Sequence, residues 1–244
     1  MRATEEFTIG RVYRLLPKVL GQESISLWLN FGLFATAVDL LQVALQRVSG
    51  GPSLAGRPMA IAFFVAVFVA TCFVHCAAVH AADMRLSGTP VQAIVALRAG
   101  LSRFWPYLGL STLLSLVITF GLLMLIAPGL FAAVAFSLAT PALVIRRAGV
   151  FDSLGASWTM TKGHRLEILG LMLVYGVVCG LVIAAVILPG AAVLYLTGLA
   201  GTVGQSLVAL VINDFLTSFV LVVAGAISTV MFRLIEADRA AIPA

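Results

Sequence analysis

Residues 166–188 read LEILGLMLVYGVVCGLVIAAVIL, and Glu167 is the one charged side chain among them. A helix rises 1.5 Å per residue, so about 20 apolar residues cover the hydrocarbon core of a bilayer. This stretch meets that length. Five further apolar runs share its character, at 25–45, 60–82, 105–127, 129–145 and 207–232, of which 129–145 is marginal in length. The chain therefore reads as all-α: a polytopic membrane protein of six transmembrane helices in a single membrane domain, 1–244.

Composition agrees. The chain is 61% hydrophobic and 10% charged, against about 25% charged in an average soluble domain. The spans leave no room for a folded soluble domain. A net charge of +5 with a pI near 9.6 would suggest nucleic acid in a soluble protein. Here the cations flank the spans, so the phospholipid bilayer and its anionic headgroups are the expected partners, with no nucleic acid. No secretory signal peptide is expected, because a polar and amphipathic lead precedes Ile25. Cys72, Cys76 and Cys179 all fall inside spans, so no extracellular disulfide framework is expected.

The cations also set the threading. Taking the first tail as inside, that face carries Arg2, Arg11, Arg14, Lys18, Arg85, Arg98, Arg103, Arg146, Arg147, Lys162, Arg165, Arg233 and Arg239. The other face carries Arg47 and Arg57. Short cytoplasmic loops retain Lys and Arg, so both termini are expected in the cytoplasm of a bacterial inner membrane.

Each pair of spans is preceded on the inner side by a short amphipathic segment, at 8–20, 90–103 and 152–162. Such helices are too short to span and are expected at the headgroup boundary, with Lys and Arg reaching phosphate. In the first, Ile9, Val12, Tyr13, Leu16 and Val19 share a face; in the third, Phe151, Leu154 and Trp158 do. The pattern predicts a threefold repeat of interfacial helix plus helical hairpin. The alternative is one docked helix, the third, among ordinary loops. Interfacial lipid contacts are expected from Arg11, Arg14, Lys18, Arg98, Arg103, Trp158, Lys162 and Arg165. Trp28 and Trp105 read as further interface anchors. Ala127-Pro128-Gly129 is expected to close the hairpin between spans three and four. The uncharged stretch 189–206 is expected either in the outer interface or re-entrant.

The stretches LLMLIAPGL (122–130), ATPALVI (139–145) and FDSLGASWTMTKGHR (151–165) together resemble one bacterial multi-span family. It is typified by the membrane domain attached to some glycerophosphodiester phosphodiesterases. That family is similar in its Pro-Gly hairpin, a proline near the end of the next span, and an inner helix of the form Ala-Leu-x-x-Ser-Trp-x-Leu-Thr-x-Gly. The resemblance runs from Phe7 to Arg165 and implies the fold more than an activity. This chain departs from the pattern with Arg146-Arg147 where an acidic residue is common, and with Ser153-Leu154-Gly155 in the inner helix. It has no phosphodiesterase barrel, so hydrolysis is not implied.

Two constellations could carry chemistry. Cys72, His75, Cys76 and His80 share one stripe of span two, with Asp83 at its inner end. Thiolate and imidazole suit zinc, copper(I) or haem iron, yet one helix cannot wrap a metal; the plainer reading is packing. Asp39 and Asp214, with Asn213 beside the latter, lie inside antiparallel spans at similar depth. A carboxylate inside a span costs about 2.5 to 3.5 kcal/mol on the insertion scale and usually faces a cavity or a partner. They are transport or proton-relay candidates, or are wetted from the outer surface. Gly176 and Gly180 have small-xxx-small spacing, which lets helices approach closely. There is no Walker loop, His-Glu-x-x-His or nucleophile elbow. The expected function is non-enzymatic and needs no cofactor: organising the membrane or supporting a protein partner. A small secondary transporter or channel component is the alternative, and a metal or haem carrier the second alternative.

Overall fold

A computed structural model describes residues 8–48, 56–89, 98, 101–196 and 203–241. The elements are α1 (Ile9–Val19), α2 (Gln22–Val48), α3 (Gly56–Leu86), α4 (Phe104–Met124), α5 (Ile126–Ala135), α6 (Ala139–Ile145), α7 (Val150–Thr161), α8 (Arg165–Leu196) and α9 (Val203–Ala241). The fold is all-α among the described residues. Five stretches are long and apolar enough to cross a membrane: Val65–Leu86, Phe104–Met124, Ile126–Ile145, Arg165–Val193 and Leu207–Ala240. In α2 the apolar stretch is shorter, Trp28–Leu41. The chain is a multi-span helical membrane protein whose apolar helices meet lipid.

Helix α9 is the central post, packed against α1, α2, α3, α6 and α8. Small residues set its approach to α3. A Cβ added at Gly225 would lie 3.1 Å from that of Ala78, and one turn on, Thr229 donates to the Val79 carbonyl at 3.4 Å. The main core joins Val12 and Val19 of α1, Ala142 of α6, Met160 of α7, and Val230, Phe232 and Ile235 of α9. The short helices α1 and α7 thus pack one face against the ends of the spans. Burial of the spans is lopsided: 56% for α5–α6 but 11% for α4 and 6% for α8. The last two are the least covered by protein, so their exposed faces meet lipid. Cavities of about 300 and 310 Å³ adjoin α8, both lined by Tyr175.

Several expectations need correction. The first interfacial helix exists as α1, but its apolar face is buried in protein, with Val12 0% and Val19 1% exposed. The third exists as α7, but Phe151 is 79% exposed and the buried stripe is Ser153, Ser157 and Thr161. The second, 90–103, falls mostly outside the described residues, and with it the test of the repeat. The hairpin does not turn at Pro128. The break is at Leu125, in extended backbone, and Pro128 sits in the first turn of α5, where its missing N–H costs nothing. Gly129 is needed for another reason: a Cβ there would lie 2.6 Å from the Leu122 backbone nitrogen. In the stretch 189–206, α8 continues as helix through Pro189 to Leu196, α9 begins at Val203, and 197–202 lie outside the described residues. Gly176 and Gly180 have nothing within 4 Å of an added Cβ, so they bring no described helix close. Trp28 is no free anchor, because its indole N–H donates to the Phe215 carbonyl at 2.7 Å and its ring meets Phe215 and Phe219 edge-on.

The polar stripe of α7 answers a problem made by the fourth span. That span breaks at 136–138, between α5 and α6, and backbone groups freed at such a depth need partners. Ser157 Oγ donates to the Ala135 carbonyl at 2.8 Å and accepts from the Leu138 N–H at 3.2 Å. Thr161 donates to the same carbonyl at 3.3 Å. The double variant Ser157→Ala, Thr161→Val leaves both backbone groups without these partners. It is expected to cost about 2 to 4 kcal/mol, from about 1 to 3 kcal/mol per orphaned group, read as lost stability in micelles. A loss under 1 kcal/mol would mean the junction finds other partners.

Candidate functional site

Helices α2 and α9 run side by side, and where Gly32 faces Phe215 an added Cβ would lie 2.9 Å from the ring. Just beyond this crossing the two acidic residues meet. The Asp214 carboxyl sits beside the Asp39 carboxyl, the Thr36 hydroxyl and the Asn213 amide. Asp214 is 7% exposed and Thr36 9%. Even so, Asp214 Oδ2 and Thr36 Oγ1 are buried and make no well-formed hydrogen bond. Asp39 is half-buried and Asn213 exposed. Both carboxylates lie deeper in their helices than the apolar runs suggest: α2 continues to Val48 and α9 begins at Val203.

The Cys/His stripe meets a different environment. Cys72 and Cys76 are buried in a cluster with Val79, Tyr107, Leu110, Ala139 and Leu143. The His75 ring stacks on Tyr107, with centroids 6.0 Å apart and planes 18° from parallel. It faces the cavity of about 300 Å³ together with Ser137, Thr140, Tyr175 and Ser228. His80 is half-buried. Asp83 is taken by Arg233 at 2.6 Å. Cys179 lines the other cavity, beside Tyr13 and Tyr175. Among the described residues no group of three or more His, Cys, Asp or Glu could hold a metal. The buried cysteines of the stripe pack against α4 and α6.

At the ends of the spans where α1 and α7 dock, the cations divide into two sets. One set of basic side chains is engaged within the protein. Arg233 pairs with Asp83 and with Glu236 at 3.2 Å, and Arg146 pairs with Glu236 at 2.8 Å. His164 lies 3.1 Å from Glu167 and 3.6 Å from Asp238. Arg239 donates to the Thr159 carbonyl. The other set is exposed: Arg14, Lys18, Arg98, Arg147 and Lys162. Arg11 and Arg103 are half-buried. Trp105 is 76% exposed. The Arg165 guanidinium stands 4.4 Å over the Trp158 ring and 4.7 Å over Phe131, so Trp158 doubles as a platform for a cation. On α1 the buried Tyr13 hydroxyl has no hydrogen-bond partner, and burial pushes its phenol pKa above the usual value, with the Cys179 thiol adding to it.

The ion-pair network is the feature sequence reasoning missed. Its local signal was the three-residue spacing of Arg233 and Glu236 near the end of a long helix. Nothing in the chain order announced Asp83 as the third member. Comparison with protein-family models, with curated proteins and with solved structures finds no match to this chain.

Proposed function

We propose that this chain is a non-enzymatic integral protein of a bacterial inner membrane, organising the bilayer or supporting a protein partner by holding anionic lipid headgroups. In this reading both termini are cytoplasmic and α2 is a sixth crossing, its 27 residues giving about 40 Å of helix. The observation that carries it is the seating of α1. Val12 and Val19 are buried in the core while Arg14 and Lys18 are exposed. A basic strip is thereby fixed to the protein instead of floating on the membrane. Lys162 and the stacked Arg165 extend it. The proposal keeps the resemblance to the phosphodiesterase-associated membrane domain. The geometry supplies a reason for the residues that carry it: Ser157 and Thr161 tie down the broken span, and Gly163 turns into α8 at φ 104°.

Each Lys or Arg near an anionic surface contributes about 1 kcal/mol. Arg14→Gln with Lys18→Gln is therefore expected to weaken binding of phosphatidylglycerol or cardiolipin roughly 30-fold, while zwitterionic lipid is unaffected. Native mass spectrometry of the purified protein against both lipid classes reads this directly. Equal retention of anionic lipid by the parent and the double variant would remove α1 from the proposal.

A second reading is supported by the carboxyl pair. A small secondary transporter or channel component would use Asp39, Asn213 and Asp214, which adjoin although they come from opposite ends of the chain.

A further inference from the structure

Asp39 and Asp214 lie within the apolar stretches Trp28–Leu41 of α2 and Leu207–Ala240 of α9, Asp39 near the end of its stretch, away from the cluster of Asp83, Glu167, Glu236 and Asp238. Among the described side chains of the neighbouring helices no basic residue is placed beside them; those of Arg47 on α2 and Arg57 on α3 lie outside the described side chains. Helix α3 carries no Lys, Arg or His from 61 to 74, α6 none from 139 to 145, and α8 none from 166 to 196. On α1, Arg14 and Lys18 are exposed and Arg11 is half-buried. The charged neighbour acting on the Asp214 carboxyl is Asp39. Two like charges are thus held together in a low-dielectric setting, which is costly unless a positive charge joins them.

The second observation is independent of the acids. The hydroxyl of Thr36, one turn before Asp39 on α2, is 91% buried by its residue exposure of 9% and has no hydrogen-bond partner. It points into the same cluster as the equally unpartnered Asp214 Oδ2. In a helix a threonine hydroxyl ordinarily bonds back to the carbonyl one turn earlier, as Thr71 and Thr112 do here at 2.8 Å. Thr36 does not. Oxygens that converge with only poorly formed hydrogen bonds between them retain lone pairs that a cation can take as ligands.

We propose that Asp39, Asp214 and Thr36 form an intramembrane site for one monovalent cation, Na⁺ or a proton. The site deepens the transporter reading and rests on it for the carboxyl pair, but binding and transport can fail separately. Asn213 stands at its rim, its amide beside the Asp214 carboxyl.

The test is thermal unfolding of the full chain in detergent micelles, titrated with NaCl against choline chloride at constant ionic strength, at several pH values. If Na⁺ is the ligand, Tm rises and saturates, by about 5 °C at a hundredfold excess over half-saturation. Half-saturation then moves to higher Na⁺ as pH falls, because protons compete. If the proton is the ligand, Tm follows pH and ignores Na⁺. In Asp39→Asn with Asp214→Asn the Na⁺ dependence disappears, or, for a proton ligand, the pH response changes by the part the pair contributes, leaving that of the other ion pairs. Thr36→Val weakens Na⁺ binding at least tenfold while leaving the pH response. Should the double variant fail to fold, Asp39→Asn alone, at the half-exposed partner, serves instead. A parent protein indifferent to both ions, or a dependence that the substitutions leave unchanged, would overturn the site. Proteoliposomes then separate the readings: saturable binding with no Na⁺ or proton flux keeps the site and discards transport.

Discussion

Gly129→Ala is expected to destabilise the protein by about 2 to 3 kcal/mol, and Gly121→Ala by a similar amount, from the usual cost of overpacking. The two glycines face each other across the α4–α5 hairpin. A Cβ on Gly121 would lie 2.7 Å from the Gly129 Cα and 2.8 Å from its nitrogen. A Cβ on Gly129 would lie 2.6 Å from the Leu122 nitrogen. These obstacles are backbone, so no rotamer change relieves them, and the hairpin must splay. The contrast lies on α8. Nothing stands within 4 Å of a Cβ on Gly176 or Gly180, and alanine in place of glycine within a helix gains roughly 0.5 to 1 kcal/mol. The same substitution should therefore have opposite signs at two pairs of glycines, both in apolar helices. Unfolding of the four single variants, followed by circular dichroism in one detergent, checks this. If Gly129→Ala and Gly176→Ala move stability alike, the close hairpin is wrong.

That contrast marks how far the sequence could be read. Apolar runs are set by lipid, which acts on every residue of a span, so the long helices and their order were legible from hydropathy. What hydropathy cannot supply is which helix touches which. Gly176 and Gly180 have the spacing of a packing motif, yet they face outward, while Gly121, Gly129 and Gly225 make the close contacts. In lipid an outward face and an inward face are both apolar, so the pattern that separates them in a soluble helix is missing. The short helices misled for a related reason. Phe151 and Trp158 look like a buried face because water would bury them, but the interior needed Ser157 and Thr161 to close a broken span. The carboxyl pair was legible as an anomaly, since a charge within a span is conspicuous whatever its neighbours. Thr36, which completes that cluster, was not, because a threonine in an apolar helix has an ordinary role available to it.

Arg233→Met is expected to cost about 2 to 3 kcal/mol, and the reason is what it leaves behind. Both Nε and Nη2 of Arg233 converge on Asp83 Oδ1 at 2.6 Å. The Asp83 side chain is 14% exposed, so losing Arg233 strands a carboxylate that water reaches poorly. Breaking a fully buried pair from one side costs about 3 to 5 kcal/mol; Arg233, at 37% exposed, brings this one lower. Removing both partners should hurt less than removing one. Asp83→Asn with Arg233→Met is expected to recover more than half of the loss, giving a coupling of about 2 kcal/mol in a double-mutant cycle. Arg146→Gln is the control: its pair with Glu236 is 44% and 32% exposed, and pairs of that kind contribute about 0 to 1 kcal/mol. The distinction bears on the proposed lipid surface. If the Asp83–Arg233 tie holds α9 against α3, its loss should also loosen α1, whose Val12 and Val19 share a core with Val230 and Ile235. Anionic lipid binding should then fall even though Arg14 and Lys18 are intact. A variant that loses stability but keeps its lipid affinity would separate the basic strip from the core beneath it, and would put the strip's rigidity in α1 alone.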